Sequence, residues 1–439
     1  FCRAIAEQAP PRPARPVPRW VPLWRLARRH WAASSLVLLT AVLAAGLALT
    51  WVRAQSQTRA QLERALALER CQHATQLAYW STGASQTDAV EAFRRALDSL
   101  STLASRRNQT KSDALLFSEF ATNLGSFSGH PSISARGELA LAQGFYQAGL
   151  RIIDSAQPAL PTDERLVRQS VAIRQAYGGL LIEAGDLHSA STQLNHALND
   201  TRLVLALTGL SPSQLSQWRM HHADLLAAYS RIPLHQGRLE ECIDLRRQAV
   251  AQAAEVQRLN PSNLQHQITL SGLKAALAWA IRERGQAAEA LAELEQARAL
   301  IDDFLRPDRL EPYPTSMAAR NLYEEGRLLL DLGRNQEAAR RLDLAIDAFR
   351  RLNREAPFSP MTGRTLMRAL ARLAEAGRRL GWPEPRLRLL AASAIAEAQQ
   401  ALAANPGNVK VPEEVEEVRQ ALFRARLDPG PLAVPKLDD

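Results

Sequence analysis

Few side chains in this sequence could support chemistry, and those few are widely spaced. The three cysteines, Cys2, Cys71 and Cys242, are too few and too scattered for a disulfide framework or a zinc site. Cys71 and His73 lie two residues apart, so on a helix they do not share a face and are not expected to form a metal-binding pair. In an oxidising compartment Cys71 could instead join two chains, which stays open as an alternative.

The remaining candidates are predicted to have structural roles. His221 and His222, like the isolated histidines, are interpreted as surface or helix-packing residues rather than ligands. Cys242 falls at a small-residue packing position of the repeat described below, which predicts an inert core thiol. The segment GSFSG at 125–129 only imitates a nucleophile elbow, because its middle residue is Phe127 instead of serine.

Sequence motifs for known reactions are also missing. The patterns GxGxxG, GxxxxGK[ST], HExxH, CxxC and the EF-hand loop do not occur in the 439 residues. We therefore predict no catalytic, cofactor-binding or metal-binding residue, and no cofactor, in this chain. Binding to other molecules is the function class that remains.

The composition predicts an all-α protein and does not predict nucleic-acid binding. Alanine and leucine are abundant, aromatic residues make up 5%, and long alternating β-branched runs are missing. The formal net charge is +9, but it comes almost entirely from arginine, and much of the excess lies in the first 30 residues. The other charges are mixed with acids, as on solvated helix faces. A nucleic-acid partner is therefore not expected.

Residues 31–52 form an uncharged, apolar run of roughly 22 residues. As a helix, this run would extend about 33 Å, enough to cross the hydrocarbon core of a bilayer. Trp31 and Trp51 stand at its two edges, where aromatic rings favour the headgroup level. We predict a transmembrane helix that binds the lipid bilayer. The alternatives are a buried core helix of a cytosolic repeat adaptor, and a cleaved signal peptide, which the long run and its Pro-rich lead disfavour.

The charges that flank this run predict its orientation. The lead, residues 1–30, carries one acid, Glu7, and seven arginines, whereas arginines after the run are mixed with Glu63 and Glu69. The positive-inside rule then places residues 1–30 in the cytoplasm and the chain after Arg53 outside it. Small residues spaced four apart in the run could bring two spans together, so a homodimer is an alternative. They are Ala41 with Ala45, and Gly46 with Thr50.

The rest of the chain is predicted to consist of four further segments. Residues 1–30 are a Pro/Arg-rich juxtamembrane linker, because proline at this density prevents a helix. Residues 53–85 keep a helical pattern without proline up to Trp80 and are predicted to be a helical stalk. Residues 86–427 are a helical repeat solenoid. Residues 428–439, rich in proline, are a flexible tail.

The repeat is anchored on a glycine that ends a helix. A small residue follows five positions later, an apolar residue nine later and an alanine twelve later, and another small residue precedes the glycine by seven. Two antiparallel helices can pack closely where small residues face a larger apolar one. The anchors with their followers are Gly144 (Gly149, Ile153, Ala156), Gly185 (Ala190, Leu194, Ala197), Gly237 (Cys242, Arg246, Ala249), Gly285 (Ala290, Leu294, Ala297) and Gly333 (Ala338, Leu342, Ala345). The preceding residues are Gly137, Gly178, Ser230, Ala278 and Gly326, and an earlier echo is Ala89, Phe93 and Ala96.

This pattern resembles the tetratricopeptide repeat family. The match is clearest in YGGLLIEAGDLHSASTQLNHAL (177–198) and EEGRLLLDLGRNQEAARRLDLAI (324–346). It predicts five to six stacked hairpins over roughly residues 86–400, with residues 412–426 as a closing helix. The anchors at 237, 285 and 333 are 48 residues apart, against about 34 in the family, so we expect longer helices and connectors. Such a solenoid implies a protein or peptide ligand.

The N-terminal arrangement resembles the linker and span of bacterial membrane-anchored serine/threonine protein kinases. The resemblance is carried by RPARPVPRWVPLWRLARRHWAASSLVLLTAVLAAGLAL (12–49), followed by a helical pattern and repeats. In that family a cytoplasmic kinase domain precedes this order of segments. It implies that Phe1 follows a kinase domain, and that the repeats lie outside the bacterial inner membrane as a sensor and interaction part. No Gly-rich loop, HRD-type loop or DFG occurs here, so no catalytic residue is carried over. The alternative is a stand-alone membrane-anchored scaffold for envelope proteins.

Overall fold

The computed structural model describes residues 31–80, 86–105, 110–129, 138–156, 163–207, 209–306, 308–309, 311–355, 360–404 and 410–428. All regular structure in these ranges is helical, which confirms the predicted all-α class. The predicted juxtamembrane linker, Gly137 and all but the first residue of the predicted tail lie outside the described residues.

The helices are long, mostly of 18 to 21 residues, and are joined by short connectors. In chain order they are α1 (Trp31–Trp80), α2 (Gln86–Ala104), α3 (Lys111–Gly129), α4 (Leu139–Ala156), α5 (Glu164–Glu183), α6 (Leu187–Leu205), α7 (Pro212–Tyr229), α8 (Arg231–His235), α9 (Leu239–Leu259), α10 (Leu264–Glu283), α11 (Ala287–Ala299), a 3-10 helix (Asp302–Leu305), α12 (Pro312–Asp331), α13 (Asn335–Glu355), α14 (Pro360–Arg379), α15 (Glu384–Ala404) and α16 (Lys410–Arg424).

The chain divides into two units, Phe1–Ala65 and Leu66–Asp439. In the first unit the large apolar side chains of α1 from Leu38 to Val52 are all exposed. Among the described residues one helix, Leu38–Ala78, is long and apolar enough to cross a membrane, and its apolar window is not buried. The alternative of a buried core helix therefore does not hold. The crossing of a membrane itself stays a prediction.

The second unit begins inside the segment that the sequence predicts to be a stalk. Residues 53–80 are helical as expected, but Ala67, Cys71 and Ala74 are fully buried in a cluster with Phe93 and its neighbours on α2. The second half of the predicted stalk is thus part of a packed core. The Cys71 thiol is not available to join two chains, and burial raises its pKa to about 12. Residues 81–85 lie outside the described residues.

The second unit is a solenoid of helix hairpins of the tetratricopeptide type, as predicted. Each hairpin pairs a first helix with a second helix, and each second helix also packs against the first helix of the next hairpin. The closing helix α16 packs on α14 and α15 and buries Val411, Val415 and Val418. The hairpins are α3/α4, α5/α6, α7/α9, α10/α11, α12/α13 and α14/α15.

Four of the five glycine anchors follow the end of a helix, as predicted. Gly185, Gly285 and Gly333 follow the first helices of their hairpins, and Gly237 follows the short helix α8 after α7. Gly185 and Gly333 have φ of +80° and +74°, a region that side chains resist. Past each one, the next amide donates back to a carbonyl five residues earlier, at 2.9 Å from Asp186 N to Leu181 O and at 2.8 Å from Arg334 N to Leu329 O. This is the Schellman arrangement. The prediction is wrong for Gly144, which lies inside α4 where it makes room for Leu97.

Close helix packing explains the small residue seven positions before the anchors Gly185, Gly285 and Gly333. A Cβ placed on Gly178 would lie 2.6 Å from Leu194 Cγ, and one on Gly326 would lie 2.6 Å from Leu342 Cγ. The leucine nine positions after the anchor therefore fills the space that the missing side chain leaves. In hairpin α10/α11 the corresponding position is occupied by Ala278, which is fully buried.

Replacing Gly326 by valine is expected to lower the free energy of unfolding by about 1–3 kcal/mol, because the new side chain overlaps Leu342. Urea unfolding followed by helical circular dichroism measures the change. Gly363→Val, whose Cβ would have only Glu397 Oε2 at 3.7 Å, is the matched control. Adding Leu342→Ala should recover part of the loss, so additive effects of the two substitutions would contradict this account.

Candidate functional site

The first helices of successive hairpins lie side by side. Polar side chains of one first helix form hydrogen bonds with those of the next. Gln214 Nε2 of α7 donates to Glu164 Oε2 of α5 at 2.6 Å. Asn321 Nδ2 of α12 donates to Ser271 Oγ of α10 at 3.1 Å. We call the surface formed by α5, α7, α10, α12, α14 and α16 the first-helix face.

At its N-terminal part, this face is held together around Glu164. Trp218 is fully buried and its Nε1 donates to Glu164 Oε1 at 3.2 Å, while Arg168 NH2 donates to the same oxygen at 2.6 Å. Desolvation alone would raise the pKa of Glu164, but the hydrogen bonds from Gln214, Arg168 and Trp218 lower it. Gln214 and Trp218 come from α7 and hold it against α5, whereas Arg168 binds Glu164 within α5. This part of the face therefore has a structural role.

Next to the middle of the face, the second helix α9 carries an arginine at a packing position. Arg246 stands where the other hairpins have Leu194, Leu294 and Leu342, and it is 5% exposed. Its Nε donates to Ser230 Oγ at 2.9 Å, and its NH1 donates to the Ala276 carbonyl. The guanidinium lies 5.4 Å from the ring centroid of Trp279, which is 38% exposed on α10. No carboxylate of the described residues pairs with Arg246 within 4.0 Å.

Asp224 of α7 is the most strongly shifted acid in the described part of this face. The side chain has no ion-pair partner among the described residues, and burial raises its pKa to about 7. His221, one turn earlier, is half-buried, and burial together with the Arg168 charge lowers its pKa. At pH 7 the His221 side chain is therefore largely neutral, whereas Asp224 is about half ionised and is largely neutral only at lower pH.

Because the pKa of Asp224 is raised, we predict that the free energy of unfolding falls as the pH rises from about 4 to about 7. The folded chain keeps the Asp224 proton up to about pH 7, whereas the unfolded chain releases it near its ordinary pKa of 3.8, so deprotonation favours unfolding in this window. In Asp224→Asn the melting temperature should fall less between pH 4 and pH 7 than in the unsubstituted chain. Asp343→Asn, an exposed acid on α13, is the control. Parallel curves for Asp224→Asn and the unsubstituted chain would refute the assignment.

The C-terminal part of the face is a network of arginines and glutamates. Arg364 of α14 holds Glu414 of α16 with two hydrogen bonds, 2.6 Å from Nε and 2.9 Å from NH2. Glu375, which is 2% exposed, accepts hydrogen bonds from three arginines. These are Arg372 (3.0 Å), Arg379 (2.6 Å) and Arg424 (3.2 Å).

Three residues in this network are incompletely paired. Arg368 lies 5.3 Å from the ring centroid of Tyr323, and its contacts with Glu417 and Glu414 are long, 3.5 and 3.9 Å. Arg320, exposed on α12, has no carboxylate within 4.0 Å among the described residues, and desolvation together with Arg368 lowers its pKa. The Tyr323 hydroxyl is buried and has no hydrogen-bond partner in the described part of the chain.

Two further ion clusters involve glutamates of the helices that form the face. Glu325 is fully buried in hairpin α12/α13, with Arg298 Nε at 2.8 Å and Arg341 Nε at 3.1 Å. Glu183, at the end of α5, pairs with Arg231. Glu183 also accepts from Lys410 Nζ at 3.2 Å, so the start of α16 contacts a hairpin more than 200 residues earlier.

The residues that the sequence analysis singled out are placed as packing residues. His222 Nδ1 of α7 lies 2.8 Å from the hydroxyl of Thr201 on α6 of the preceding hairpin, and Cys242 is fully buried. Cys71 is buried while His73 is exposed, so they lie on different faces. No group of three or more potential metal ligands occurs in the described ranges.

The GSFSG segment forms the end of α3, and its small residues allow α4 to pack closely against it. A Cβ on Gly125 would lie 2.9 Å from the Tyr146 ring, and Ser126 Oγ lies 3.1 Å from the Tyr146 hydroxyl. The sequence analysis noted this segment only for its resemblance to a nucleophile elbow. The segment begins and ends with glycines, Gly125 and Gly129, which lie one turn apart on the helix. This spacing is the signal that could have identified it as a packing site.

No protein-family model matches this chain, and no curated protein matches it. Among solved structures it is similar to BtubC (BKLC) from P. vanneervenii, at 15% identity and a TM-score of 0.44, over 60% of this chain and 91% of that one. The apo form of RapI is similar at 10% identity and a TM-score of 0.44, over 82% and 86%. NprR in complex with its cognate peptide NprX is similar at 12% identity and a TM-score of 0.41, over 76% and 80%. Likenesses of this size leave the function to be argued from the residues of this chain.

Proposed function

We propose that this chain is the membrane-anchored protein-interaction and sensor module of a receptor-like serine/threonine protein kinase. Residues 31–52 span the bacterial inner membrane, with the N-terminal lead in the cytoplasm and the solenoid outside it. The proposal is supported by the first-helix face, on which the Trp279 side chain is 38% exposed and Asp224 and Arg320 have no ion-pair partner among the described residues. The chain also has no reaction motif. Such a face suits a peptide or a helix of a partner protein.

Membrane anchoring is supported by the exposure of the apolar side chains on α1. Leu38, Leu47 and Trp51 are each at least 65% exposed, and burying such a stripe in lipid removes a large apolar area from water. Membrane fractionation tests this part. We expect the chain in the membrane pellet after a high-salt wash and in the soluble fraction only after detergent. Recovery from the soluble pool would restore the cytosolic adaptor as the better hypothesis.

The interaction role is tested by site-specific photo-crosslinking of the full chain in membranes. A photoreactive residue replaces Trp279 on the first-helix face, or Leu344, which is 52% exposed on the second helix α13, as the control. We expect a discrete protein adduct from position 279 and none from position 344. Equal labelling at both positions, or none at either, would contradict a binding role for this face.

The kinase association rests on the resemblance of residues 12–49 and on the order of segments. The DNA upstream of the Phe1 codon tests it directly, over about 300 codons. An in-frame Gly-rich loop, HRD-type loop and DFG would support the kinase. A start codon close to Phe1 would favour the alternative, a stand-alone membrane-anchored scaffold that assembles envelope proteins.

A further inference from the structure

The two ends of the first-helix face meet at one buried carboxylate. Glu183, the last residue of α5, has a side chain that is 7% exposed and pairs with Arg231 of α8 through one oxygen. Its other oxygen accepts from Lys410 Nζ at 3.2 Å, and Lys410 is the first residue of α16. Four hairpins lie between these two helices, so the array turns back until α16 reaches α5.

The first helices lie on the inner side of this turn. Backbone contacts join each first helix to the next one, whereas successive second helices share few such contacts. Side chains hold the same side together, since Arg168 of α5 donates to Gln217 of α7 at 3.3 Å in addition to the bonds of Gln214 and Asn321 described above. An array packed more closely along one side curves toward that side. The first-helix face is therefore concave, and it is enclosed where α16 meets α5.

The charged groups on this face are desolvated although water reaches them. Arg320 is exposed, yet desolvation lowers the pKa of its guanidinium, and half-buried Asp224 has its pKa raised to about 7 by the same cause. On the second helix α13, by contrast, the pKa of exposed Glu337 is lowered mainly by its hydrogen bond with Arg334. Desolvation of groups that water can reach is the effect of an enclosed, concave surface.

The spacing of the helices limits what this enclosed surface can hold. Six first helices, from α5 to α16, complete the turn, and neighbouring packed helices lie about 10 Å apart. Five such intervals give a ring with a circumference of about 50 Å, which is about 16 Å across between helix axes. The helices with their side chains fill about 10 Å of that width. The remaining space suits one extended chain, whereas a helix or a folded domain is too wide.

We propose that the ion pair of Lys410 with Glu183 is a clasp that closes the first-helix face into a ring, and that the closed ring admits only a single extended segment of the partner protein. This inference rests on the proposed interaction role and specifies the form of the partner. In the closed ring the segment reaches Trp279 by its free end. When the clasp opens, α16 moves away from α5 and the face becomes accessible to folded partners. Because Lys410 is 36% exposed, water can replace the contact and the clasp can open.

Cysteine labelling of the full chain in detergent tests the clasp. Trp279→Cys on the face, or Leu344→Cys on the second helix α13 as the control, is introduced into a Cys2→Ser background, in which Cys71 and Cys242 are buried. Two maleimide probes are compared. One is a short glycine-serine peptide with the maleimide at its end, which stays unfolded. The other is biotin-maleimide with a short linker, bound to streptavidin.

The measured quantity is the labelling rate with the streptavidin probe relative to the rate with the peptide probe. We expect this relative rate to be about tenfold lower at position 279 than at position 344, because a folded protein is too wide for the ring. Lys410→Glu places two carboxylates at the clasp and should raise the relative rate at position 279 by about threefold, since their repulsion opens the ring. Arg419→Glu makes the same change of charge at an exposed position of α16 and should leave the relative rate unchanged. Circular dichroism checks that both variants keep their helices.

Equal relative rates at positions 279 and 344 would overturn the ring, and failure of the peptide probe to react at 279 would show that an extended segment does not fit. An unchanged relative rate in Lys410→Glu, or an equal rise in Arg419→Glu, would overturn the clasp. The photo-crosslink at position 279 separates these results from failure of the proposed function. An adduct at 279 without size selection would retain the interaction role and reject the clasp. Size selection without an adduct would do the opposite.

Discussion

Replacing Glu325 by alanine is expected to lower the free energy of unfolding by about 3–5 kcal/mol. Glu325 is fully buried between Arg298 of α11 and Arg341 of α13. Its removal leaves two partly buried guanidinium groups facing each other, of which Arg298 keeps a second carboxylate, Asp302. Burial raises the pKa of Glu325 despite both arginines, so the ion cluster itself adds little net stability. The loss comes from cations that remain partly buried without the Glu325 carboxylate.

Urea unfolding of the full chain in detergent measures the effect as a shift of the midpoint. Glu337→Ala is the matched control, because Glu337 lies on the neighbouring helix α13 and forms an exposed ion pair with Arg334. An exposed pair contributes at most about 1 kcal/mol, so this variant should unfold close to the unsubstituted chain. Similar midpoints for the two variants would show that water reaches the Glu325 cluster.

Replacing Ser230 by alanine together with Arg246 by leucine is expected to raise the free energy of unfolding by about 1–4 kcal/mol. The double variant reproduces the contact of Ala278 with Leu294 in hairpin α10/α11, so the packing is one that this fold already uses. It replaces a buried charge without a carboxylate by apolar area. Ser230 must change as well, because its hydroxyl otherwise stays beside the new leucine.

The same unfolding experiment tests this variant, with Arg247→Leu as the control. Arg247 is the next residue but is exposed and bonded to Glu289 at 3.1 Å, so its replacement should not stabilise the chain. A lower midpoint for the double variant would mean that the hydrogen bonds of Arg246 to Ser230 and Ala276 outweigh its desolvation. In that case Arg246 would be a structural residue of hairpin α7/α9.

The parts of the fold that were predictable from the sequence are those fixed by local chemistry. Gly185, Gly237, Gly285 and Gly333 were recognisable because a Schellman turn requires positive φ, and the residues at fixed distances from them pack as expected. Gly144 was misplaced because a glycine inside a helix can serve close packing as well as a turn. The pattern of residue types around the glycine is the same in both cases. Only the position of the neighbouring helix shows whether the glycine ends a helix or allows close packing.

The candidate site was not predictable for a different reason. Arg364, Arg368 and Arg372 follow one another at helical spacing, and such a stripe normally indicates a solvated face. The carboxylate partner of Arg364, Glu414, comes 50 residues later in the chain. This separation is set by the unusual repeat length. Tyr323 and Arg320 lie on yet another helix. The contacts of Tyr323 with Arg368 and of Arg364 with Glu414 depend on how two successive hairpins and the closing helix stack, which no local pattern encodes.

The ion pair between Glu183 and Lys410 has a consequence for how the second unit folds. Arrays of helix hairpins normally fold through nearest-neighbour contacts, so terminal repeats can fray independently of the others. Here, fraying of α16 breaks a contact with α5, which closes a loop of more than 200 residues. Lys410 is partly exposed, so the contact contributes on the order of 1 kcal/mol or less and opens readily. The closing helix and hairpin α5/α6 are therefore weakly coupled, and opening of one changes the opening equilibrium of the other.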